Sequence, residues 1–253
     1  MKKVITSFLM LLLTVTLFAQ NNGEMEPEAA KFYNEGNKLM RTGAYNDAIA
    51  QYESALKTSN DYRIHYQKGV TLKKIGKYDE AIAALNACIK SNPDAYFGYN
   101  ALGGIYFQQG QYQLAIDNFT QFEAKAPKNN LKNQAKEYIS RSYTKMGAAE
   151  KTNGNFEQAV NYLNTAVANF KFDAAYLLLA EVLIDLGRYD EALTAADNAL
   201  NSRKTITVGG PLYYKGKAFK GKNDLTKAKE AFEAGRKDAT YKKLCDYELD
   251  MLK

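Results

Sequence analysis

One phrase recurs along this chain and constrains everything else about it. Gly43-Ala-Tyr-Asn-Asp-Ala48-Ile, Gly76-Lys-Tyr-Asp-Glu-Ala81-Ile, Gly110-Gln-Tyr-Gln-Leu-Ala115-Ile, Gly154-Asn-Phe-Glu-Gln-Ala159-Val and Gly187-Arg-Tyr-Asp-Glu-Ala192-Leu are five copies of it, and Asn223-Asp-Leu-Thr-Lys-Ala228 is a degenerate sixth. The alanines stand 33, 34, 44, 33 and 36 residues apart. A period of that size marks an array in which each unit buries its apolar face only against its neighbours.

The phrase has a physical meaning. About eleven residues of helical periodicity lead up to each glycine, which takes the left-handed conformation that ends a helix; asparagine is the best non-glycine substitute. The aromatic two residues on packs over the turn. The next small residue lets a second helix approach, and a large apolar residue four further on (Tyr52, Leu85, Phe119, Leu163, Phe232) fills the space between helices. Asn92-Pro93-Asp94 and Ala126-Pro127 then stop second helices. Each unit reads as a helix-turn-helix.

These residues resemble the tetratricopeptide repeat family, whose 34-residue pattern has an aromatic, Leu-Gly and Tyr in its first helix, then Ala, an aromatic, Ala and Pro. The third repeat carries Tyr99, Leu102-Gly103, Tyr106, Gly110, Tyr112, Ala115, Phe119 and Pro127, with Phe122 in place of the second alanine. Elsewhere Glu35 or Lys68 stands where leucine is usual. The resemblance implies an all-α, right-handed solenoid of about six repeats over residues 29–61, 62–95, 96–129, 130–172, 173–208 and 209–242. Pro27, between Glu26 and Glu28, suits the first turn of the opening helix. Tyr241, Leu244, Cys245, Leu249 and Leu252 mark a closing amphipathic helix over 239–253. In the 44-residue interval, Leu131, Ala135, Tyr138, Ile139, Tyr143 and Met146 keep helical spacing, so the first helix of repeat four is expected to be long. It serves either as extra packing on repeat three or as a partner contact.

Ahead of the repeats, Lys2 and Lys3 precede an apolar run from Val4 to Phe18, then Ala19-Gln20 and a polar linker over residues 20–28. That order is a secretory signal, cut after Ala19. The ending Phe-Ala-Gln resembles signals of Bacteroidetes-type bacteria. The expected location is periplasmic or secreted, with an uncleaved inner-membrane anchor as the alternative. Nothing after residue 19 is apolar for long enough to cross a membrane. The whole chain has 34 basic and 28 acidic residues. Cleavage removes two lysines and no acids, leaving 32 − 28 = +4. So mild an excess does not mark a nucleic-acid binder.

In the family, ligands usually lie along the inner surface formed by the first helices. With repeats taken to begin at Ala29, Tyr62, Tyr96, Ser140, Asp173 and Gly209, the matching positions hold nine basic residues: Arg41, Arg63, Lys73, Lys74, Arg141, Lys145, Lys151, Lys217 and Lys220. Only Glu181 and Asp185 are acidic there. Tyr33, Tyr66, Phe97, Phe107, Tyr213 and Tyr214 are interleaved, with Asn37 and Asn100 among them. A protein or peptide partner that is acidic or offers a free carboxylate suits this surface. Five of the cations also sit in last turns, where they meet the negative end of the helix dipole for a few tenths of a kcal/mol each. The clamp by which some family members hold the C-terminus of heat-shock chaperones maps to Tyr33, Asn37, Gln67, Phe97 and Ala101; only Asn37 agrees, so that activity does not carry over.

No catalytic, metal or cofactor site emerges. Gly216-Lys-Ala-Phe-Lys-Gly221-Lys222 has phosphate-loop spacing, but Asn223 stands where Ser or Thr would hold magnesium, and no strand precedes it. His65 is the single histidine. Cys88 and Cys245 are too far apart in the array to bridge, which leaves an intermolecular bond through Cys245 open. The acidic pairs Asp79-Glu80 and Asp190-Glu191 recur at the start of second helices, where acids are stabilising. The reading is therefore a non-enzymatic envelope scaffold. Its rivals are a structural subunit or homo-oligomer using the convex face and long helix, and a binder or enzyme for a small acidic ligand.

Overall fold

The structure is a computed structural model and describes residues 24–253. The expected export signal over residues 1–19 lies outside the described residues. Among those described there are thirteen α-helices and no strand. They run in chain order as α1 (Pro27–Thr42), α2 (Tyr45–Ala55), α3 (Tyr62–Lys74), α4 (Tyr78–Ser91), α5 (Tyr96–Gln108), α6 (Tyr112–Lys125), α7 (Asn129–Thr152), α8 (Phe156–Asn169), α9 (Asp173–Asp185), α10 (Tyr189–Asn201), α11 (Gly209–Gly221), α12 (Leu225–Gly235) and α13 (Lys242–Asp250).

The six hairpin turns share one device. Gly43, Gly76, Gly110, Gly154 and Gly187 have φ between 72° and 85°, and Asn223 has φ 61°, the one non-glycine residue with positive φ among those described. The residue after each turns its backbone N–H back to close the helix, as Lys77 does to the Leu72 carbonyl at 3.0 Å. The second helix then leans on the first through a fixed pairing. Tyr52, Leu85, Phe119, Leu163 and Phe232 lie so close to Gly36, Gly69, Gly103, Gly147 and Gly216 that an added Cβ would come within 2.4–2.8 Å of them. All five large side chains are buried. Repeat five reaches the same closeness differently, with small Ala180 and Ala196 buried on its two helices.

Stacking these hairpins puts the odd-numbered helices on one side. α1 touches α3, α3 touches α5, α7 touches α9, α9 touches α11 and α11 touches α13, while no pair of second helices makes comparable contact. The odd helices therefore form the inner, concave layer. α5 and α7 are the neighbours that do not share such a contact. α7 has 24 residues and packs along α6 before it forms its hairpin with α8, with Tyr138 stacked on Phe119 at 4.8 Å.

Between α10 and α11, Asp173 organises the turn. Its Oδ2 accepts from the backbone N–H groups of Lys204 (2.6 Å), Thr205 (2.5 Å) and Ile206 (3.1 Å), and its Oδ1 accepts from the Thr205 hydroxyl at 2.7 Å. Burial alone would raise this carboxyl, but the donors outweigh it and hold the group at about 2.

The closing helix α13 departs from expectation at two residues. Leu244, placed on the buried stripe by sequence spacing, is 47% exposed, and Cys245, left open for an intermolecular bond, is fully buried. Burial pushes the Cys245 thiol up to about 11, so it is neither accessible nor a thiolate at neutral pH. Cys88 is likewise buried and free. The inward place next to Cys245, Tyr241 and Leu249 is completed by a charged residue, Glu248, which is 4% exposed.

Candidate interaction surface

Glu248 explains itself through what it faces. Its carboxylate takes Lys220 at 2.7 Å and Lys217 at 3.3 Å, both from α11. Burial would raise this acid, yet the two lysines hold it below the usual carboxylate range. Two of the nine basic groove residues thus share one carboxylate from the chain's own last helix, which offsets one of their two charges.

Three more have local partners. Arg63 holds Asp61 bidentately, Arg141 holds Glu137 one turn away and lies over the Phe172 ring, and Lys151 pairs with Glu181 at 2.5 Å. The remaining four, Arg41, Lys73, Lys74 and Lys145, meet no carboxylate among the described residues. The cations of this face that meet no carboxylate therefore lie in repeats one, two and four.

The aromatic residues are mostly committed to one another. Phe97 packs edge-on to Tyr66 at 4.5 Å and stacks on Tyr62 at 5.9 Å; Phe107 meets Tyr112 at 5.6 Å. Tyr33 lies 6.2 Å from Tyr52, whose hydroxyl donates to Asn37 Oδ1 at 2.8 Å. Tyr213 sits among Tyr214, Phe232 and Tyr241. Burial raises the Tyr213 phenol to about 12. The dismissed phosphate-loop spacing falls inside helix α11, with Gly216 pressed on Phe232. His65 Nε2 meets Asn60 Oδ1 at 2.7 Å.

Where α5 and α7 part, the face opens into a cleft of about 620 Å³. Tyr66, Lys73 and Lys74 line it from α3, Asn100, Phe107 and Gln108 from α5, Phe119 from α6 and Tyr138 from α7. Lys74 lies over the Tyr45 ring at 5.9 Å. Lys73 is half-buried, and loss of water around its ammonium holds it below the ordinary lysine value. Half-burial, aromatic walls and free polar groups make this cleft able to hold an anionic group of a ligand.

A sequence model described as tetratricopeptide repeat matches residues 66–130 and 144–204. The chain belongs to the tetratricopeptide repeat family. Solved structures with a similar fold include MamA, with TM-score 0.52 and 22% identity over 69% of this chain and 91% of that one. A MamA RS-1 double mutant gives TM-score 0.50 and 19% identity over 71% and 96% of the two chains. MamA from residue 41 to its end, from Desulfovibrio magneticus RS-1, gives TM-score 0.48 and 21% identity over 71% and 95%. The likenesses to MamA and to its double mutant are of fold. No curated protein matches the chain. Tetratricopeptide repeat arrays bind proteins or peptides, and the architecture is that of an interaction scaffold. Among the described residues no helix is long and apolar enough to cross a membrane.

Proposed function

We propose that this protein is an exported, non-enzymatic scaffold of the cell envelope that holds an acidic segment of a partner protein along the inner face of repeats one to four. The observation that carries the proposal is the uneven neutralisation of that face. Lys151 is paired with Glu181, and Lys217 and Lys220 share Glu248, whereas Lys73 and Lys74 are left without carboxylates in a cleft with aromatic walls, and Arg41 of repeat one also meets none. A desolvated ammonium is costly unless something pairs with it, so a site that leaves one unpaired rewards an incoming anion. The positive field around it also speeds encounter with acidic partners. The leader of residues 1–19 supports placement outside the cytoplasm.

Affinity capture from the native envelope, with proteins identified by mass spectrometry, tests this reading. The parent protein and a Lys73→Glu, Lys74→Glu variant are compared under identical salt. A partner with an acidic stretch, retained by the parent and lost by the variant, is the expected result. A partner retained equally by both moves the binding surface elsewhere, to the convex face or α7.

A further inference from the structure

The third residue before each left-handed turn alternates in character: Met40, Lys73, Phe107, Lys151, Ile184, Lys220. The three lysines fall in the even repeats, each the penultimate residue of its helix. Each points toward the next inner helix. Lys151 meets Glu181, the ninth residue of α9, at 2.5 Å, and Lys220 meets Glu248 of α13 at 2.7 Å. Lys73 faces the ninth residue of α5, and that residue is Gly104. A Cβ on Gly104 would lie 3.2 Å from the Lys73 ammonium, with nothing else in reach. The array thus places this lysine three times, bridges it to a glutamate of the next inner helix twice, and omits the glutamate once, leaving an open notch.

We infer that the notch between Lys73 and Gly104 is a carboxylate seat, filled by the side chain of a glutamate or aspartate in an extended partner segment that replaces the missing bridge. This rests on the inner face being the partner surface. The floor is open because Gly104 has no side chain, and Asn100, one turn earlier on α5, offers an amide that has no partner among the described residues. Tyr66, Phe107 and Tyr138 wall the cleft for the flanking residues of the segment. A side-chain carboxylate carried on a peptide fits such a cleft better than a free small acid, which leaves the aromatic walls unused.

The decisive variant is Gly104→Glu, which supplies the missing acid from within. It replaces a mid-helix glycine with a better helix former and gives Lys73 a partner, so it folds, with a melting temperature at or above the parent's. The probe is a fluorescein-labelled hexaglutamate amide, read by anisotropy with the purified protein at low ionic strength; hexaglutamine amide is the control. Gly104→Glu is expected to weaken the probe about tenfold or more. Asn86→Glu, exposed on outer helix α4, adds the same charge away from the inner face and is expected to change binding less than about twofold. Equal loss in both variants, or none in Gly104→Glu, overturns the notch. If Lys73→Glu, Lys74→Glu still loses the probe in that case, the groove reading survives without the seat; if it does not, the groove reading fails as well. Glutarate binding as tightly as the peptide overturns the peptide assignment. So does concentration-dependent dimerisation abolished by Gly104→Glu, which makes a second copy the occupant.

Discussion

Asp173 and Asn223 do comparable work at two turns, and only one of them is visible in sequence. Asn223 stands where five glycines stand in the other copies, and its φ of 61° follows from that alignment. Asn223→Gly is expected to raise stability by a few tenths of a kcal/mol, while a β-branched Asn223→Val costs about 1–2 kcal/mol, measured by urea unfolding. Asp173 is different, because its donors lie 31 to 33 residues ahead in an irregular loop that no periodicity describes. Its carboxyl is lowered from 3.8 to about 2, which corresponds to about 2 kcal/mol. That contribution is full above the unfolded value of about 4 and disappears as pH falls through about 2. Asp173→Asn should therefore lose about 2 kcal/mol at neutral pH and flatten the parent's acid-side stability curve. Parallel curves across that window would contradict the assignment.

At the scale of elements, the helical hairpins and the closing helix were legible because period and turn chemistry agree. The job of α13 was not. Spacing marked Tyr241, Cys245, Leu249 and Leu252 as its buried stripe, but it also put Leu244 there and gave no hint that Glu248 is aimed at α11. The signal was available only by comparing repeats, since Lys151–Glu181 is the same bridge two repeats earlier. Glu248→Gln leaves Lys217 and Lys220 without a counter-charge. It is expected to cost about 2 kcal/mol or more and to speed amide exchange in α13 ahead of the rest of the array. The native Glu248 is held below its ordinary value, so its contribution is present at neutral pH and fades on acidification. Unchanged exchange in α13 would show that its apolar contacts alone hold it.

At the scale of the molecule, the inner face was legible as a list of residues and not as a distribution of free charge. The composition of that face is strongly basic, but pairing with Asp61, Glu137, Glu181 and Glu248 confines the unpaired cations to Arg41, Lys73, Lys74 and Lys145. Binding there should consequently fall steeply as salt rises, far more than the stability of the solenoid, which rests on buried apolar contacts between neighbouring helices. Titrating both with sodium chloride separates the two. The most direct measurement places a photo-crosslinking amino acid at Asn100, in the cleft, and separately at Asn86, exposed on outer helix α4, in cells carrying the native envelope. The expected result is a discrete crosslinked partner from Asn100, absent after Gly104→Glu, and none from Asn86. A partner crosslinked from Asn86 and not from Asn100 would contradict binding along the inner face.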